Sequence, residues 1–261
     1  MTKLLTTAQA TSYARDGFVY PVDVMTADEA QSYLNRLEAS EALQGKALVK
    51  GSNFKPHLLF QWADELAYHP KILDAVEDLI GTDIRILSST VFPKSPGEGT
   101  FVDWHQDGTY FALQPDNVQV AVWLALSEAP VESGCMEMAV GSHRLGQLSH
   151  AEVSSEKHML SLGQTVNAPF SKEDTQFMPL KAGQMSLHHT HTAHRSGPNM
   201  ATFRRVGVTL TYVPAYAAVR AKVRPSAALV RGDDRWHNFE DEPRPMTDFG
   251  AAEQAFQQRA N

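Results

Sequence analysis

The chain changes its hydrophobic rhythm once, near Ile84, and that single switch narrows the fold more than any other feature. Upstream, apolar residues recur at three- and four-residue spacing between helix punctuation marks. Thr7 to Asp16 runs into Gly17, Thr26-Ala27-Asp28-Glu29 has capping-box spacing, and Leu58 to Ile80 is interrupted at Pro70 and stops at Gly81. Two helices are expected to meet at that proline, and the first ninety residues read as helical. Downstream, short runs rich in Val, Ile, Thr and aromatics alternate with Gly, Pro and Ser, as strands do. The candidates are 84–92, 118–126, 135–140, 177–180, 185–189 and 205–214. Strands in series without long intervening helices predict an antiparallel sandwich or jelly roll rather than a parallel sheet.

With 261 residues and no repeat, low-complexity tract or linker, one domain over 1–261 is expected: residues 1–83 largely helical, 84–214 the β core, and 215–261 a C-terminal extension. Residues 143–176 read as a polar insertion and 224–247 as an irregular segment. The formal charge of −7 argues against a nucleic-acid partner. Two leucines give way to polar residues at the start, and nowhere do ~18 apolar residues run together, so neither leader nor membrane span is expected. One cysteine, Cys135, rules out an intrachain disulfide and suits a reducing, cytoplasmic setting; it reads as a small buried hydrophobe.

Eleven histidines prompt a search for ligand spacing. In Trp104-His105-Gln106-Asp107, an extended backbone puts His105 and Asp107 on one face, where both can bind one metal ion. The cluster from His188 to His194 can supply a third ligand. Two histidines and one carboxylate with open positions is the ligand set of non-haem Fe(II) oxygenases, although zinc hydrolases use the same donor types. A cation is the discriminating feature: a 2-oxoacid co-substrate chelates iron at one end and offers a free carboxylate to a guanidinium at the other. Arg205 opens a stretch with large apolar residues at even positions and Gly207, Thr209 and Thr211 at odd ones, so it shares a face with small side chains. Arg204 falls on the apolar face. His189-Thr190-His191 lacks the glutamate that a cupin motif expects, and His143, His188, His189 and His191 read as structural or supporting groups.

These residues, with Gly134-Cys135, Gly141-Ser142-His143 and His194-x-Ser196-Gly197-Pro198-Asn199, resemble the phytanoyl-CoA dioxygenase family from about residue 4 to 215. The resemblance implies a double-stranded β-helix, a jelly-roll or cupin-like barrel flanked by helices. It also implies Fe(II), with 2-oxoglutarate and O2 as co-substrates, hydroxylation of a small-molecule C–H bond, and release of succinate and CO2. By that resemblance His105, Asp107 and His194 match the iron ligands, Arg205 the arginine that grips the co-substrate, Ser196 a partner of the same carboxylate, and Trp123 a residue packed against it. Family relatives that halogenate replace the carboxylate ligand by a small residue, so Asp107 favours hydroxylation.

Lys55, His57, Tyr110 and Phe111 are the candidates for the barrel mouth, with Lys55 or His57 binding an anionic substrate group. Asp233-Asp234-Arg235-Trp236 is a candidate lid. No basic patch suits the phosphates of a CoA thioester, so a small polar metabolite is expected. The competing classes are a metal-containing jelly-roll binding module and an O2-independent metal hydrolase.

Overall fold

The computed structural model describes residues 2–49, 54–152, 155–160, 164–166, 170–220 and 224–260. Its helices follow their punctuation. Thr6 and Thr26 each close a capping box on the residue three positions on, and Gly17 and Gly45 end the helices Thr7–Asp16 and Ala27–Gln44 in the left-handed conformation. Pro70 divides Gln61–Ala67 from Pro70–Ile80, as expected.

Two antiparallel sheets face one another. The larger has seven strands in the order Phe18–Asp23, Gln184–His189, Val120–Ala125, Arg205–Pro214, Ile84–Lys94, Ser226–Arg231 and Glu240–Asp241, with only the last pair parallel. The smaller has four, ordered Val102–His105, His194–Ser196, Met136–Ala139 and Thr175–Met178. This is the mainly β, helix-flanked, cupin-like architecture expected.

Strand alternation divides the chain's chemistry between the two faces of the large sheet. Val206, Val208, Leu210 and Tyr212 pack outward into the main core with Val122, Leu124, Met185 and Leu187. Trp62, Leu66, Ile72 and Val76 of the helices cover the same face. Each such side chain, fully buried, contributes about 1.5–3 kcal/mol. The odd positions Arg205, Gly207, Thr209 and Thr211 are left facing the interior between the sheets. Gly207 is dictated by packing: a Cβ there would meet Trp123 Cζ2 at 2.0 Å.

Three expectations change. Phe18–Asp23, inside the supposedly helical region, is an edge strand paired with Gln184–His189; its Pro21 is tolerated because an edge strand has one unpaired side. Ser226–Arg231, inside the supposedly irregular segment, pairs with Ile84–Lys94. Its Ser-Ala-Ala start carries little strand signal, and the order comes from burial against its neighbour. The 143–176 insertion contains a short hairpin of His150–Glu152 with Gln164–Val166. Among the described residues no helix is long and apolar enough to cross a membrane.

Candidate functional site

His105 ends its strand, Gln106 stays extended, and Asp107 opens a single 3-10 turn. The i, i+2 geometry therefore holds, though the aspartate sits in the turn and not in the strand. The third residue arrives by register, since His194 lies directly opposite His105 in the small sheet. The two rings are 4.0 Å apart between centroids. His105 Nε2 and His194 Nε2 approach Asp107 Oδ1 at 3.5 and 3.8 Å. One donor atom from each of the three lies within 4.8 Å of the others.

Backbone contacts fix both imidazoles. His105 Nδ1 donates to the Asp103 carbonyl and His194 Nδ1 to the Thr192 carbonyl, each at 2.9 Å. Each Nε2 is thereby left as the free donor atom, the arrangement by which outer contacts set tautomer and ring orientation at metal centres. His188 donates through Nε2 to the other carboxylate oxygen, Asp107 Oδ2, at 3.1 Å, so Oδ1 alone is directed at the two histidines. Burial opposes ionisation of Asp107, but His194, His105 and His188 outweigh it and hold the carboxyl well below its usual range. Burial first, then His105 and His188, holds His194 well below the usual imidazole value, favouring its neutral, ligating form.

Across the cavity floor is a second constellation. Arg205 is 2% exposed, its Nη2 donates to Gly134 O at 3.0 Å and Ser196 Oγ at 3.2 Å, and its Nη1 to Phe92 O at 3.2 Å. Its guanidinium lies 5.2 Å from the Trp123 ring centroid, while its Nε has no partner. Lys94 faces Arg205 across the strand pair and donates to Ser196 O at 2.9 Å. Burial, reinforced by Arg205, pushes the Lys94 ammonium down to about 6, and burial pushes Arg205 down to about 10. Among the described residues no carboxylate pairs with either. Gly134 holds its carbonyl there through a left-handed turn, and a Cβ would meet Gly197 O at 2.2 Å.

One cavity of about 630 Å³ joins both sets, and its walls include His105, Asp107, His194, Arg205, Ser196, Trp123, Tyr110 and Phe111. That volume suits a small organic ligand beside a dicarboxylate. Lys55 and His57 do not line it, which corrects the expectation. They are buried on the opposite side of the Ile84–Lys94 strand, where Lys55 Nζ pairs with Glu242 and reaches Ser226 O at 3.1 Å. His57 meets Glu242 Oε2 at 3.0 Å and Ser89 Oγ at 2.5 Å. Ser89 alternates away from the cavity, so anything bonded to it is outside. The candidate lid is likewise fastened elsewhere: Asp234 pairs with Arg85 at 2.6 Å and Trp236 packs on Tyr216. Arg204 is bound by Glu41 at 2.6 Å.

Lys94 and the Asp107 contact of His188 escaped the sequence reading. Both were within reach of strand parity. Met185 and Leu187 face out, so His188 faces in; extending 84–92 by two residues puts Lys94 opposite Arg205.

The model of the family described as phytanoyl-CoA dioxygenase matches residues 13–207. A protein of Stutzerimonas stutzeri named "Probable alpha-ketoglutarate-dependent hypophosphite dioxygenase" is 30% identical over 164 residues, 62% of this chain and 56% of that protein. The chain thus spans about half the length of the curated relatives it matches. The solved structure of the non-heme monooxygenase ThoJ in its apo form superposes with a TM-score of 0.84 at 32% identity, covering 97% of this chain and 94% of that one. The epimerase SnoN, in complex with Fe3+, alpha ketoglutarate and nogalamycin RO, gives 0.68 at 25% identity, with 92% and 95% covered.

Proposed function

The chain belongs to the phytanoyl-CoA dioxygenase family, and from that premise we propose that it is a non-haem Fe(II)- and 2-oxoglutarate-dependent dioxygenase that hydroxylates a C–H bond of a small molecule. The observation that carries this reading is the pairing, in one cavity, of a two-histidine, one-carboxylate set with a buried arginine and lysine that no carboxylate pairs with among the described residues. The donor set fits ferrous iron: neutral imidazoles with their Nε2 atoms free, one ionised carboxylate oxygen, and no thiolate.

In this reading His105, Asp107 and His194 hold the metal, and His188 orients Asp107. Bound iron supplies dioxygen activation and, with 2-oxoglutarate, the oxidising power that leaves succinate and CO2 as co-products. The chain's own work is to bind, orient and exclude water. The Arg205 guanidinium takes the far carboxylate of the co-substrate through its planar fork. Lys94 adds a second donor and Ser196 a hydroxyl between them. Trp123 covers that end, so the ion pair forms in a dry, low-dielectric site where it is strongest. Tyr110 and Phe111 shape the opening toward the primary substrate. Ferrous iron and the single buried thiol both suit a reducing cytoplasmic setting.

The experiment is succinate release from 2-oxoglutarate by the ferrous protein. Slow release that depends on oxygen, is stopped by a chelator and is lost in Asp107→Ala is expected. Turnover that persists without oxygen, or the absence of metal binding, contradicts the proposal.

A further inference from the structure

Beyond the charged end, the large sheet presents a ladder of hydroxyls to the cavity. Two residues on from the Arg205–Lys94 pair and its Gly207–Phe92 neighbour, Thr209 faces Thr90; the next rung is Thr211 facing Ser88. All four line the cavity. Ser88 and Thr211 are only 4% and 5% exposed, and none of the four hydroxyls has a hydrogen-bond partner among the described residues. A hydroxyl that opens on the cavity keeps its donor and acceptor for water or a ligand, whereas valine would fill the same space as threonine and offer neither. The alternating positions on the other face of the same strand are Val206, Val208 and Leu210, so the hydroxyls are confined to the cavity side.

The cavity lining also includes the apolar side chains of Phe54, Val102, Phe111, Met159 and Leu160. Free charge is absent from this end among the described residues. The Arg195 Nε is held by Glu137 at 2.7 Å with its guanidinium over Trp104 at 4.9 Å, and Lys55 is occupied by Glu242. A charged ligand would lose its hydration there without recompense. The Ser88–Thr211 rung also lies level with the metal set, because Thr211 is opposite Ala121 and Ala121 opposite His188.

We propose that the primary substrate is an uncharged, largely apolar molecule carrying hydroxyl or carbonyl oxygens along one edge, and that Ser88, Thr90 and Thr211 recognise that edge. The inference rests on the oxygenase reading of the same cavity and names its substrate class. It departs from the expected small polar metabolite, and the candidate anchors for an anionic group, Lys55 and His57, are bound by Glu242 instead.

Matched probes test it: 2,7-dihydroxynaphthalene, whose two hydroxyls lie on one side of the ring system, naphthalene and naphthalene-2,7-dicarboxylate, each titrated calorimetrically and without oxygen into the full chain loaded with Fe(II) and 2-oxoglutarate. The loading step is recorded first. If no 2-oxoglutarate binds, the oxygenase reading has failed, and the same three probes titrated into the metal-free protein still judge the ladder. The diol is expected to bind at least about tenfold more tightly than either relative. Thr211→Val, which keeps the shape, and Ser88→Ala should each weaken the diol about fivefold, the worth of one neutral hydrogen bond, with naphthalene unchanged. Equal or tighter binding of the dicarboxylate overturns the proposal. So does a diol preference that survives Thr211→Val together with Ser88→Ala, which would mean that the ladder holds only water.

Discussion

Two buried polar clusters lie on opposite faces of the Ile84–Lys94 strand, and they differ in one respect. On the helix-covered face, Lys55 and His57 meet Glu242, and Ser226 and Ser89 take the remaining bonds. On the cavity face, Lys94 and Arg205 stand together over Ser196, and among the described residues no acid pairs with either. Both contain an amphiphilic cation deep in the fold, and only the first is neutralised. A buried charge costs several kcal/mol unless it is paired, so the first cluster is closed and stabilising while the second stays open to a carboxylate arriving from outside. Residue type does not separate them, since a lysine anchors each. What separates them is whether the counter-charge is part of the chain.

Substitution in either cluster challenges this difference. The largest effect is expected at the closed cluster: Glu242→Gln leaves Lys55 and His57 without their acid, and urea titration should register a loss of about 3–5 kcal/mol. Arg205→Met should do the reverse. Its fold stability is expected to be unchanged or higher, while 2-oxoglutarate affinity in the ferrous protein falls about a hundredfold, the worth of a charge-assisted fork. Lys94→Met should follow the same pattern with about a tenfold loss of affinity, since a point charge adds less than a two-donor fork. If Lys94→Met unfolds the protein as Glu242→Gln does, the two clusters are alike and the contrast is lost.

The smallest expected effects are in pH dependence, and they have different signatures. Burial opposes ionisation of Glu242, but His57 and Lys55 prevail and hold it at about 2, below the ordinary 4.5. The unfolded chain therefore binds the proton first, so this contribution is complete above pH 4.5 and is lost as pH falls toward 2. Lys94 lies at about 6 against 10.5 in the unfolded chain. Between those values the unfolded state holds more protons, so stability should rise with pH across that interval. Urea melts at stepped pH should show the acid slope vanish in Glu242→Gln and the alkaline slope flatten in Lys94→Met.

The sequence carried the fold wherever a local rule decided the outcome. The capping box at Thr26, Pro70 and the alternation from Arg205 to Pro214 correspond to elements of the structure with little change. It failed where order comes from a partner, as in Phe18–Asp23 and Ser226–Arg231, whose weak patterns become strands only against a neighbour. The site followed the same division. His105 and Asp107 are two residues apart and could be read locally, and the odd-position parity of Arg205 gave its face. The sequence could not reveal that Glu242 waits for Lys55 and His57, because 185 or more residues separate them. A lysine ahead of a helix then looks like a substrate anchor until its partner is seen.

If His105, Asp107 and His194 hold a metal that works together with Arg205 as one site, a single titration reveals it. 2-Oxoglutarate is added without oxygen to the ferrous protein, and the weak visible charge-transfer band of its iron chelate is followed in the wild type, Arg205→Met and Asp107→Ala. A saturable band is expected in the wild type, the same band at about hundredfold higher concentration in Arg205→Met, and none in Asp107→Ala. A band that saturates equally well without the arginine, or that persists without the aspartate, would contradict the single-site reading.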